Sequence, residues 1–323
     1  MKSDGIKIYR KPRLKNPFLI LAWPGMGEVA FRSASYLVEK LQAEQIAGIE
    51  PGKSFYLTGC TVQDGIVGLP DLPESSFYVW KNKSGQNDIV IFLGSAQPDL
   101  AGAEEYAKKI IQVAKLLKIK TVVNLAAIPQ PIEHTQPPAV WFSGTSSSIN
   151  AELKKYNLNQ LNEGQISGMN GLFLGIAKQA GFEGFCLLGE IPLYTIQIEN
   201  PRASYAVLDA LCRILKLELD LNSLLEQAQT METEINKLMD FLKLGPQSSP
   251  IGEDEIERIK KTLGQLTRLP SSVKEKIEKL FFQVKTDITK AAELKSELDK
   301  WNVYKDYEDR FLDLFKKKNE QSN

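Results

Sequence analysis

Residues 18–41 read FLILAWPGMGEVAFRSASYLVEKL, and three kinds of local chemistry follow one another within them. Phe18 to Ala22 are consecutive apolar residues, short enough for a buried strand. Trp23 to Gly27 carry a proline and two glycines, the composition of a turn. From Glu28 to Leu41 the apolar residues Val29, Phe31, Tyr36, Leu37 and Leu41 recur at helical spacing. A strand, a glycine turn and a helix in direct succession form the repeating unit of an α/β domain.

Reading outward, the same alternation continues. SFYLTGC (54–60), SFYVWKN (76–82) and DIVIFLG (88–94) are β-type runs, and the last two predict a hairpin. Ala103 to Lys118 place Ala107, Ile110, Ile111, Ala114 and Leu117 on one helix face, and the buried-strand run TVVNLAA (121–127) follows at once. Four prolines between 129 and 138 predict a loop, because each fixes φ and removes a backbone donor. Beyond it come a strand at AVWFSG (139–144), a segment from Ser146 to Tyr156 and a glycine-rich stretch (163–181). A strand at FEGFCLLGE (182–190) and a helix from Pro201 to Leu215 complete the series, with proline suited to the first helical position. The expected fold is α/β, with helices packed around a central mixed sheet.

After about residue 220 strand signals stop, and Glu, Lys and Leu dominate. Leu224, Ala228, Met231, Ile235, Leu238 and Leu242 follow a 4-3-4-3-4 spacing, the apolar seam of a helix pair. Beyond the turn GPQSSPIG, Ile256, Ile259, Leu263 and Leu266 repeat it up to Pro270, which predicts a helical hairpin; further helix runs from Ser271 past Trp301 to Leu314. The expected organisation is an N-terminal arm (1–16), an α/β domain (17–220) and a helical C-terminal extension (221–323).

Lys plus Arg equals Asp plus Glu at 40 each, so no overall field attracts nucleic acid or anionic lipid. Residues 251–323 hold 16 basic and 15 acidic residues, which argues against a nucleic-acid clamp there. The basic N-terminus lacks the apolar core of a secretory signal, and no apolar run approaches the ~20 residues needed to cross a bilayer. A cytoplasmic protein with no membrane span is expected. Cys60, Cys186 and Cys212 form no CxxC pair and are read as reduced thiols; the single histidine, His134, lies far from them in sequence, so no metal site is expected.

Candidate sites are few. Gly25, Met26, Gly27 and Glu28 stand between a strand and a helix N-terminus, where backbone N–H groups can bind an anion; the alternative is a tight turn that packs helix on sheet. The turn is neither a Walker loop nor GxGxxG. Gly164, Gly168, Gly171 and Gly175 also accompany a helix, with Ser167 and Asn170 as candidate caps and close packing as the favoured use. Glu190 follows a strand, where α/β folds place ligand sites, or is an ordinary structural carboxylate. Tyr78 and Trp80 are candidate interface residues if their strand lies at an edge. There is no GxSxG elbow, and Glu104, Glu105 and the 253–255 acidic run suit helix starts, so no catalytic residue and no cofactor is expected.

Three segments, PGMGEVAFRSASYLVEKL (24–41), ISGMNGLFLGIAKQAGFEGFCLLGEIPLY (166–194) and PRASYAVLDALCRILKLELDL (201–221), together resemble the proteasome assembly chaperone family over residues 17–221. The resemblance implies a fold similar to the purine nucleoside phosphorylases, and self-association or binding of another protein rather than catalysis. Members that dock on proteasomes end in a hydrophobic residue, a tyrosine and one terminal residue. This sequence instead ends Gln321, Ser322, Asn323, and its Val303-Tyr304-Lys305 is internal. The helical appendage is similar to that of bacterial-type members. The expectation is a non-catalytic assembly chaperone or scaffold, with a nucleoside- or phosphate-handling enzyme of phosphorylase-like fold as the alternative.

Overall fold

The computed structural model describes residues 2–3, 5–56, 59–63, 65–83, 86–244, 271–300 and 304–319. Its strands are β1 (Lys2–Ser3), β2 (Ile6–Ile8), β3 (Phe18–Ala22), β4 (Glu44–Ile49), β5 (Thr61–Gln63), β6 (Ile66–Gly68) and β7 (Ser75–Trp80), then β8 (Ile89–Gly94), β9 (Thr121–Gln130), β10 (Val140–Gly144), β11 (Asn159–Gln160) and β12 (Glu183–Pro192). Helices α1 (Val29–Lys40), α2 (Ala103–Leu116), α3 (Ser147–Leu153), α4 (Met169–Gln179), α5 (Pro201–Leu215) and α6 (Asn222–Leu244) belong with them. The chain divides into two compact units, one up to Pro250 and one from Ile251.

Ten strands form one mixed sheet in the order β1-β2-β4-β7-β8-β3-β9-β12-β10-β11. β8, β3, β9 and β12 run parallel at its centre, and the strands on either side are joined to them antiparallel. β3 is apolar throughout because both of its faces are covered, the condition of a central parallel strand. On one face Leu19, Leu21, Phe77, Val79, Val90 and Phe92 pack with α2 and α4 around the fully buried Trp23. On the other, α1 lies on β3, β8 and β9 while α5 lies on β12. The expected α/β fold with a central mixed sheet is present, and so are the hairpin of β7 with β8 and the helix starting at Pro201, whose first turn Asn200 caps by accepting the Ala203 N–H.

Several expectations need correction. The described residues of SFYLTGC hold no strand: Gly52–Ser54 form a short 3-10 turn, and Tyr56, Gly59 and Cys60 are exposed coil. The strand in that part of the sheet is β4, whose polar first residues hid it. Pro129 is not loop but lies inside β9, opposite Ile191 of β12. It is tolerated because β3 pairs with β9 only as far as Asn124, so the missing proline N–H breaks no ladder bond on that side. In the glycine-rich stretch α4 begins at Met169 with no side-chain cap, so Ser167 and Asn170 are not its caps. Gly171 is required by space, since a Cβ there would lie 2.0 Å from the Ile166 carbonyl oxygen, whereas Gly175 faces open space.

α6 follows its 4-3-4 seam: Leu224, Ala228, Ile235 and Leu238 are buried, and the helix packs on α5. It therefore belongs with the first unit, although composition changes before it. The side chain of Leu242, the turn GPQSSPIG, the expected helix through Ile256, Ile259, Leu263 and Leu266 to Pro270, and the residues 301–303 and 320–323 lie outside the described residues. The second unit contains α7 (Ser271–Thr286), α8 (Ala291–Lys300) and α9 (Tyr304–Asn319) around a small core of Ile277, Phe281, Val284, Leu294, Leu298 and Phe311. Tyr307 stacks on Phe281, and the Arg310 guanidinium sits 4.2 Å over the same ring.

Candidate functional site

The turn after β3 is held from two sides. Trp23, packed between Phe92 and Phe173, donates its backbone N–H to Asn170 Oδ1 and accepts from Asn170 Nδ2 at its carbonyl, both at 2.9 Å. Gln97 donates from Nε2 to the Pro24 carbonyl at 2.7 Å and accepts the Met169 N–H at 2.8 Å, tying the turn to the start of α4. On the opposite side the Gly27 N–H donates to the Ile196 carbonyl, and the Asn200 N–H donates to the Gly27 carbonyl, each at 2.8 Å. The Glu28 N–H turns back to the Gly25 carbonyl at 3.0 Å. Gly27 has φ +60°, and a Cβ there would meet Asn200, Ile191 and Val29 at 3.3 Å. Glu28 is also left-handed, at φ +51°, which is a strained conformation for a residue with a side chain.

The charge at this helix start is negative. Burial, and then the neighbouring Glu199, push the Glu28 carboxyl above its ordinary value, and no side chain caps the helix. Arg32, one turn further along α1, pairs with Glu199 and Gln227, joining α1 to the lead-in of α5 and to α6. The amides of Gly27 and Glu28 are engaged in the fold, and Glu28 and Glu199 are close enough for their negative charges to oppose each other. Met26 is half-buried and Gly25 exposed.

Glu190 has both carboxylate oxygens occupied: Oε2 accepts the Ala139 N–H at 2.9 Å and Oε1 accepts Trp141 Nε1–H at 2.6 Å, pinning β10 to β12. Its neighbour Ile191 approaches Gly27, but successive strand side chains point to opposite faces, so the Glu190 carboxylate is directed away from the turn. Tyr78 and Trp80 are half-buried on β7, which lies between β4 and β8 and so is not an edge strand. His134 Nδ1 meets the Tyr194 hydroxyl and its Nε2 meets Asn236 Oδ1, each at 2.8 Å, linking the proline-rich loop to α6. Burial raises the Cys186 thiol, which has no acidic or basic neighbour to activate it. Two shallow hollows, of about 730 and 420 Å³, lie at the end of α5, lined by residues such as Arg213 and Lys216, and beside α6, lined by residues such as Glu226 and Glu234. Among the described residues no cluster of His, Cys, Asp and Glu is suited to a metal, and no helix is long and apolar enough to cross a membrane.

The feature that the sequence reading missed is a two-stranded ribbon. β5 and β6 pair only with each other, through Val62 opposite Val67. Val62, Ile66, Val67 and Leu69 are exposed, Ile66 at 74% and Leu69 at 76%, with Tyr56, Leu72 and Leu100 exposed nearby in the chain or its contacts. The Asp99 N–H donates to the Ser54 carbonyl and Asp99 Oδ2 accepts the Tyr56 N–H, so the Leu100 and Tyr56 segments are joined. The turn dipeptide Asp64-Gly65 between two β-branched runs was the available signal.

The fold is shared with known proteins. The chain is 26% identical to the uncharacterized protein MJ1210 of Methanocaldococcus jannaschii over 253 residues, 76% of this chain and 93% of that one. It is similar to the crystal structure of Pyrococcus furiosus PbaB, an archaeal proteasome activator, with 26% identity and a TM-score of 0.63 over 72% of this chain and 98% of PbaB. Mycobacterium tuberculosis Rv2125, a proteasome-assembly chaperone homologue, shares the fold at 20% identity and a TM-score of 0.59, over 75% of this chain and 99% of Rv2125. The model of one family matches residues 19–239, from β3 and its turn through most of α6. The chain belongs to the PAC2 family.

Proposed function

We propose that this chain is a non-catalytic assembly chaperone or scaffold that works in the cytoplasm through self-association and contacts with another protein. The observation that carries the reading is the contrast in how its surface features use their chemistry. The turn best placed to bind a small anion has the amides of Gly27 and Glu28 bonded within the fold and the negative charges of Glu28 and Glu199 close together, while the apolar ribbon β5–β6 faces solvent. Membership of the PAC2 family, and the descriptions of PbaB as a proteasome activator and of Rv2125 as an assembly-chaperone homologue, support a role in handling protein partners.

The test is thermal unfolding of the full chain across protein concentration and across a panel of phosphate, nucleosides and nucleotides. A self-associating scaffold melts at a temperature that rises with its own concentration and ignores the panel. A midpoint that is constant with protein concentration but shifts several degrees with one small ligand would reverse the conclusion in favour of a phosphorylase-like enzyme.

A further inference from the structure

The charges of this neutral chain are unevenly placed. From Gly5 to Gly27 there is no acidic residue, against Lys7, Arg10, Lys11, Arg13 and Lys15; from Ser54 to Trp80 there is no basic residue, against Asp64, Asp71 and Glu74. In the fold Lys7, opposite Gly48 of β4, and the turn after β3 lie at the carboxyl end of the sheet, while the part of the basic segment from Lys11 to Lys15 lies at the end opposite the ribbon. The Lys15 N–H donates to the side chain of Asp88, just before β8, so the basic strip runs past the amino end of that strand. The apolar ribbon joins β4 to β7, and Ser75 at the start of β7 pairs with Gly94 at the end of β8, so the ribbon stands at the carboxyl end. The six residues of β8 separate the two ends by roughly 20 Å.

Both surfaces are partly apolar, and the segments that form them carry exposed charges of opposite sign. Asp71, Glu74 and Asp99 are exposed around the apolar ribbon. In the strip Lys7 pairs with Glu50 and Arg10 with Glu44, while Lys11 and Arg13 are exposed and meet no carboxylate among the described residues. Between the charges of the strip stand Tyr9, 59% exposed, and the half-buried Pro12 and Leu14, so its surface is apolar as well as basic. A two-stranded ribbon is marginal in water without an apolar cover, and the two ends are too far apart to cover each other within one chain.

We propose that copies of this chain associate head to tail, the acidic-rimmed apolar ribbon of one copy seated on the basic strip of the next. The inference rests on the self-association reading and specifies its surfaces. Because the two patches are different, the contact is heterologous and closes into a ring or continues as a filament, unlike a two-fold dimer.

The full-length protein is examined by light scattering over a range of concentrations, with two charge-reversed variants, Lys11→Glu/Arg13→Glu and Asp71→Lys/Glu74→Lys. Every substituted side chain is exposed, so circular dichroism should match the unaltered protein. Association weakens by roughly tenfold or more in each variant alone. An equimolar mixture of the two associates again, since each reversed patch finds its complement on the other variant. Ile66→Ser/Val67→Ser also weakens association, and the mixture does not rescue it. If the unaltered protein is an oligomer whose mass is the same in all variants, the head-to-tail surfaces are wrong while self-association stands. If the unaltered protein is a monomer at every concentration, both readings fall, and a partner whose capture is lost in Ile66→Ser/Val67→Ser would assign the ribbon to a different protein.

Discussion

The turn at Trp23–Glu28 and the ribbon at Thr61–Gly68 both lie at the carboxyl end of the central strands, and they use their residues in opposite ways. The turn is glycine-rich and looks accessible in sequence, yet its backbone is bonded to Asn170, Gln97, Ile196 and Asn200. The ribbon is apolar and looks like core in sequence, yet it is bonded only to itself and exposed. Glycine content therefore reports backbone geometry, not a ligand. Apolar content reports burial only where another element is available to provide it.

The contrast can be tested by substitution. If the turn is a structural junction, Asn170→Ala is the most damaging change, because it removes both partners of the Trp23 backbone in a buried site; we expect a loss of about 2–5 kcal/mol in urea unfolding. Gly27→Val forces a branched side chain into a left-handed position with neighbours at 3.3 Å, and a loss of about 2–3 kcal/mol is expected. A stable Gly27→Val protein would show that the turn is not the junction described.

Glu28 should respond in the opposite direction. Glu28→Gly relieves a left-handed residue and, beyond the charge effect that it shares with Glu28→Gln, raises stability by about 1 kcal/mol. Glu28→Gln isolates the charge. The folded chain raises the carboxyl above its ordinary value of 4.5, so it binds the proton more tightly than the unfolded chain does. Ionised Glu28 therefore lowers stability above its folded pKa, and that penalty disappears as the pH falls to the unfolded value. The gain from Glu28→Gln should be present at neutral pH and fade on acidification, whereas the backbone part of the gain from Glu28→Gly should persist. Smallest of all, Val67→Ser in the ribbon should change the unfolding free energy of the dissociated protein by less than about 0.5 kcal/mol. A large loss would mean that the ribbon is packed within its own chain.

What sequence revealed depended on how local the physics was. The strand at Phe18–Ala22, the helix beginning at Pro201 and the seam of α6 were legible because composition and periodicity act over a few residues. β4 was not, because its exposed Glu44 and Gln45 masked a strand whose remaining residues are buried in the sheet. Asn170 was legible as a cap because Asn favours helix starts; its real partner, Trp23, is 147 residues away. Gln97 carried no local signal, since its role exists only once the loop after β8 meets the start of α4. Glu190 was noticed for its position at the end of a strand, but only the fold brings Trp141 and Ala139 to its two oxygens.

His134 is the sole imidazole in 323 residues, and it is hydrogen-bonded through Nε2 to Asn236 on α6. Nature has thus supplied the protein with a spectroscopic label at the place where its last helix of the first unit is fastened. One pair of ring-proton resonances, assigned without any mutagenesis, will report whether that fastening is closed, in solution and at each stage of any complex the protein enters.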